Sequence, residues 1–296
     1  FNPVTEATCK GKSYIVKTDN LTARVANLSM EYAGVGKWSR VNNFVCFGST
    51  ETPCPTDNLY RIIGVIDGKV KLIKYDYATS TLLGTDGDYS GSDTPDTNYY
   101  KGNLTSINTY YWNYKAANSA SNEWSTSLLN KTNLNTNFIN NIGSEWANKI
   151  ATTTWKVGGN TFDNIVKSVP SVAYQNEIVA PSKNTTSDAK IGLMYASDYG
   201  FAASPSAWTT TLYNYNGNGA KGTSIKTINW MYMGYYDWTM SRSSDISSFA
   251  FVVSYVGFVY DDFVSNGSGV RPSFNLSSSI TYVSGSGSAV DPILIN

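Results

Sequence analysis

Histidine is missing altogether from the 296 residues, charged side chains make up only 15% of them, and cysteine occurs three times. Each shortage removes a class of function. Without histidine the Ser-His and Cys-His nucleophile pairs cannot form, and the commonest metal ligand is gone. An enzyme built from this chain would need Asp, Glu, Lys, Tyr or Cys as its acid or base. Lys plus Arg equals Asp plus Glu at 22 each, so no charge excess points to nucleic acid, and no nucleic-acid partner is expected. No apolar run reaches the roughly 18 residues a membrane-spanning helix needs. The opening "FNPVTEATCKGK" also lacks the shape of a signal peptide. Because the first residue is Phe1, a leader or anchor is expected to precede it, and membrane attachment is expected only through such a segment. Nucleotide-binding glycine fingerprints, a G-x-S-x-G elbow and internal repeats are absent too.

What is present is a surplus of Asn, Ser, Thr, Gly and Tyr, a composition suited to secreted and surface proteins. The cysteines are Cys9, Cys46 and Cys54. The stretch "CFGSTETPC" closes a short loop, and Pro53 and Pro55 favour a tight turn that brings Cys46 to Cys54. A disulfide there is expected to contribute about 2 to 3 kcal/mol. Two reduced thiols are the alternative. A zinc site would lack a fourth ligand, and Cys9 has no obvious partner.

Along the chain, residues 1–45 read as a leading segment, with "SYIV" as a strand, and 46–296 as the main domain. "LYRIIGVIDGKVKLIKYD" predicts a β-hairpin over Leu59 to Asp76, because Asp67-Gly68 supplies the positive φ angles of a two-residue turn. "DGDYSGSD" imitates the start of a calcium loop through Asp86, Asp88, Ser90 and Gly91. Its twelfth position is Thr97 rather than a bidentate glutamate, which favours a plain turn and no bound metal. Helical spacing follows: Phe138, Ile142, Trp146 and Ile150 recur every four residues, with Thr136 or Asn137 as cap and a shorter helix carrying Leu128 and Leu129 before them. "AKIGLMYASD" predicts a strand feeding a helical turn capped by Ser197 and limited by Pro205. The last seventy or so residues return to short aromatic and β-branched runs. Helices in the middle with strands on both sides give an α+β class.

Chemistry is sparse. Asp261-Asp262 is an adjacent carboxylate pair, but neighbours on a strand point to opposite faces and make no dyad. The informative stretch is "SSFAFVVSYVGFVYDDFVSNGSG". Phe249, Phe251 and Val253 fit a core-facing strand, whereas Tyr255, Phe258, Tyr260 and Phe263 around Gly257 exceed what a turn can hide. Exposed aromatic residues near a turn suit ligand contact. The alternative folds Phe258 and Phe263 back under a loop.

The order of "NNFVCFGSTETPCPTDNLYRIIGVIDGKVKLIKYD", "IGLMYASDYGFAASPSAW", "NWMYMGYYDWTMSRS" and "GVRPSFNLSSSITYVSGSGSAVDPILIN" resembles a family of bacterial surface proteins. They are common in gut Firmicutes and often carry a pilin-like N-terminal helix. The likeness runs from about residue 30 to 296 and implies a C-type lectin-like domain, similar to the variable proteins of diversity-generating retroelements. On that resemblance Trp230, Trp238, Gly269, Val270, Arg271 and Pro272 are scaffold, and the positions between Arg242 and Ser268 bind. The Glu-Pro-Asn and Trp-Asn-Asp tripeptides of calcium-dependent sugar binding are absent. So are the C-terminal cysteines of formylglycine-generating enzymes.

The expectation is therefore an extracellular, non-enzymatic recognition or adhesion protein without cofactor, facing a protein or glycan on another cell or particle. Tyr255, Phe258, Tyr260, Asp261, Asp262 and Phe263 are the expected contacts, with Tyr236, Arg242 and Asp245 at the rim. Arg271 is expected to pin the surface by bonding loop carbonyls, with Gly269 permitting the turn and Pro272 starting a strand. A pilus-type subunit and a carboxylate-dependent hydrolase are the alternatives.

Overall fold

A computed structural model describes residues 41–85, 100–104, 107–113, 121–216 and 224–296. Cys9, the "SYIV" strand and the calcium-like loop lie outside the described residues. The fold is mixed α and β, as the distribution of patterns predicts.

Strands β1 (Phe44–Cys46), β2 (Leu59–Ile66) and β3 (Lys69–Lys74) open the chain. Asp67 and Gly68 join β2 to β3 with φ of 50° and 73°, and Ile66 faces Lys69, so the expected hairpin is present. The Cys46–Cys54 disulfide is formed. The boundary expected after residue 45 falls inside β1, where Val45 is fully buried. Two more strands, β4 (Tyr100–Leu104) and β5 (Ile107–Tyr111), precede the helical middle.

That middle is more broken than its spacing predicts. A wide π-type helix runs over Leu129–Phe138, continues as one α-helical turn, and stops where Gly143 adopts φ of 80°. A new turn, Ser144–Ala147, then carries Trp146 inward. Phe138, Trp146 and Ile150 are buried as the stripe requires and Ile142 is half-buried, but Phe138 and Trp146 come from two separate helices and Ile150 lies beyond both, bridged to Leu276. Thr136 and Asn137 lie within the helix, not at its cap. The pair β6 (Thr153–Lys156) and β7 (Thr186–Ala189) is followed by the two-residue β8 (Ile191–Gly192) and the helix Ala196–Phe201. Tyr195, not Ser197, is its N-cap.

The C-terminal part holds β9 (Asp237–Arg242), β10 (Phe249–Val253), β11 (Val259–Phe263), β12 (Gly267–Ser268), β13 (Ser273–Asn275), β14 (Tyr282–Ser284) and β15 (Leu294–Ile295). The largest sheet has the order β1-β2-β3-β13-β8, so a strand near the C-terminus closes on the first hairpin. Val45 also pairs with Ile293, bringing the last segment beside β1. There Gly285, at φ 98°, would place a Cβ 2.0 Å from the Pro292 carbonyl oxygen, an approach only glycine allows.

The sheet β11-β10-β9 separates two apolar clusters. Strand alternation sends Trp238, Met240, Ala250 and Val252 into one, with Trp112, Trp124 and Phe274, and sends Phe251, Val253 and Val259 into the other, with Tyr199, Tyr215 and Ile225. Burial on both faces fixes the register, since a one-residue slip would exchange the two cores. Edge strand β11 is thereby held rigidly while its outer residues reach the surface. Among the described residues no helix is long and apolar enough to cross a membrane.

Candidate functional site

Arg271 lies directly behind the surface, 3% exposed, with Nε donating to the Asp237 carboxylate at 2.6 Å and a second nitrogen donating to the Met231 carbonyl at 2.9 Å. The pin is therefore chiefly a buried ion pair, with one loop carbonyl in place of the several expected. Burial raises the Asp237 carboxyl to about 6 against the pull of Arg271. Gly269 serves a different purpose from the expected turn. A Cβ there would stand 2.3 Å from the Tyr77 ring, so glycine is needed for close packing. Its amide and carbonyl pair with Tyr236 and Trp238. Pro272 is buried and its carbonyl accepts from Lys74 in β3. Trp238, 1% exposed, donates its indole N–H to Tyr110. Trp230 stacks on the Arg61 guanidinium, which lies 4.5 Å from its ring and 4.5 Å from that of Phe44.

Arg242, expected at the rim, is buried. Its donors go to the Val157 carbonyl at 2.7 Å and the Asn122 side-chain oxygen at 2.8 Å. The Asn122 amide in turn meets the carbonyls of Ser243, Ile246 and Phe249. Arg242 thus positions the loop between β9 and β10 from beneath. Asp245 sits exposed on that loop and accepts from Ser243.

On this frame the aromatic residues form two groups, a connected set from Tyr213 to Tyr255 and a separate pair, Phe249 with Phe263, on the face of β11 opposite Tyr260. Tyr213 meets Phe258 at 5.7 Å between ring centroids, Phe258 meets Tyr260 at 5.4 Å, Tyr260 meets Tyr236 at 6.2 Å, and Tyr236 meets Tyr255 at 5.4 Å. Tyr235 packs edge-on against Tyr236, and Phe249 meets Phe263 at 4.4 Å with the rings tilted by 43°. Such offset contacts stiffen the rings against one another. Tyr255 is 53% exposed, Phe263 50% and Tyr213 49%. Phe258, Tyr260 and Tyr236 are half-buried supports, so neither a wholly open face nor a wholly tucked-under loop describes the stretch.

The strand sorts the carboxylates as alternation requires. Asp261 shares a face with Phe263 and lies opposite Phe251, while Asp262 lies opposite Ala250 on the other face. Burial, then the charges of Asp262 and Asp245, push the Asp261 carboxyl up. Asp262 accepts from the Phe263 amide and from Asn266. Burial and the neighbouring Asp262 likewise raise the Tyr260 phenol. Among the described residues no group of three or more Cys, Asp or Glu is placed to hold a metal ion.

Sequence reasoning missed several members. Tyr213 and Tyr232 belong to the surface, and "LYNYNGNG", with tyrosines beside a Gly/Asn-rich turn, carried the signal for the first. Asp237 carries no local signal, because its partner lies 34 residues away. Glu177, fully sequestered, accepts from the Ser197 amide at 2.7 Å and from the Ser241 hydroxyl, and burial raises it to about 7. No protein-family model, curated protein or solved structure matches the chain.

Proposed function

We propose that the protein is an extracellular recognition or adhesion protein with a C-type lectin-like fold, binding without covalent chemistry through the aromatic surface around β11. One observation carries this reading. A connected set of rings from Tyr213 to Tyr255 is half exposed at its outer members yet anchored from below by buried pairs such as Arg271 with Asp237. Rigid aromatic side chains offer large contact area at small entropic cost, and a stiff frame reduces what must be ordered on binding. The return of β13 onto the first hairpin and the G-V-R-P sequence support the lectin-like assignment. An enzyme would more usually gather titratable groups in a cleft. Here the strongly perturbed carboxyls of Glu177 and Asp237 are sealed away from solvent.

The test is a glycan and peptide array probed with the whole chain and with a Tyr213→Ser/Tyr255→Ser/Phe263→Ser variant. The reading expects binders that the variant loses while keeping its melting temperature. Binders retained in full by the variant would refute it.

A further inference from the structure

The two aromatic groups around β11 differ in charge. At the Tyr255 end, Lys226 stands 5.7 Å from the ring of Tyr232, whose hydroxyl donates to the Tyr255 carbonyl. On the face of β11 opposite Tyr260, Phe263 and Asp261 emerge together with Phe249 across from Phe263, and the loop carrying Asp245 is tied to this end of β11 where the Val264 amide donates to the Ser248 carbonyl. Glu123 adds a carboxylate 4.0 Å from the Arg242 guanidinium. Arg242 pairs with Glu123 and gives its hydrogen-bond donors inward to Val157 and Asn122, which leaves Asp245 and Asp261 without a paired cation among the described residues. Asp262 is occupied by Phe263 and Asn266, whereas Asp245 uses one oxygen, toward Ser243. Among the described residues Asp261 accepts only from its own backbone N–H.

We infer that the Phe263 end receives a basic segment of a partner protein, with an Arg or Lys side chain laid over the Phe249 and Phe263 rings and its charge set against Asp261 and Asp245. The inference rests on the preceding reading that the aromatic surface is the contact face. Its chemistry follows from charge complementarity. An aromatic face is negative and attracts a cation within about 6 Å of the ring, more strongly where carboxylates share the charge. A neutral sugar would use the rings but leave the carboxylates unbalanced, and an acidic partner would be repelled.

The experiment is fluorescence anisotropy with the whole chain and two labelled decapeptides, one alternating Arg and Ser, the other Gln and Ser. The Arg peptide is expected to bind at least about tenfold tighter at low salt, with that advantage largely gone near 0.3 M salt. An Asp245→Asn/Asp261→Asn variant and a Phe263→Ser variant should each lose about tenfold in affinity for it while melting as the parent does. Equal binding of both peptides would overturn the inference, and so would an Arg advantage that survives either variant. If array binders depend on Tyr213, Tyr255 and Phe263 but not on Asp245 and Asp261, the recognition reading stands and the basic partner is refuted. If none depends on the rings, both fall.

Discussion

The Asp237 carboxylate lies 2.6 Å from Nε of Arg271, with each side chain only 3% exposed, directly behind Tyr236 in the chain. Removing one member leaves the other charge buried and unpaired. Arg271→Leu or Asp237→Leu is therefore expected to cost about 3 to 5 kcal/mol, read by urea unfolding. A cost below about 1 kcal/mol would mean that the pair does not hold the frame.

The surface rings and the core rings should separate cleanly. Tyr255→Ser and Phe263→Ser, at half-exposed positions, are expected to change stability by no more than about 1 kcal/mol. Phe251→Ala, at a fully buried position of the same hairpin, should cost about 3 to 5 kcal/mol. Thermal melts of the three variants make the comparison.

Stability should also depend on pH through Glu177. Burial raises its carboxyl from 4.5 to about 7 in the folded chain, so between those values the folded state binds a proton that the unfolded state lacks. The contribution is complete below the unfolded value and is lost as pH rises through about 7, an effect of roughly 3 kcal/mol. Glu177→Gln should remove this slope and leave the protein more stable than the parent at alkaline pH. Unfolding free energies of both proteins across that range provide the check. Parallel curves would show that Glu177 does not titrate there.

The disulfide prediction is simpler. Cys46→Ser/Cys54→Ser opens a loop whose ends are 8 residues apart, with an expected loss of about 2 to 3 kcal/mol by denaturant unfolding.

What could be read in the sequence was local. Asp67-Gly68 sets its hairpin by the φ angles of two residues, and Cys46 finds Cys54 across a short loop. The stripe of Phe138, Ile142, Trp146 and Ile150 marks side chains that are buried apart from half-buried Ile142, yet the spacing could not reveal that Gly143 divides the helix or that Ile150 falls on a β-bridge. Frame contacts escaped because they join distant segments. Glu177 meets Ser241 across 64 positions, Arg242 meets Asn122 across 120, and Arg61 meets Trp230 across 169. Nothing in a short window distinguishes Arg242, buried and fully occupied, from Asp245 three residues on and exposed. The aromatic stretch was legible as a surplus around a turn. Which rings face water depends on the two cores flanking β10, and that is a property of the assembled sheets.

Binding is assigned to the rings around β11. Amide hydrogen exchange of the whole chain, with and without the tightest binder from the array, addresses it most directly. New protection is expected at residues 255–263 and 232–236, with residues 281–292 unchanged. Protection confined to residues 281–292, with the β10–β11 hairpin exchanging as before, would contradict it.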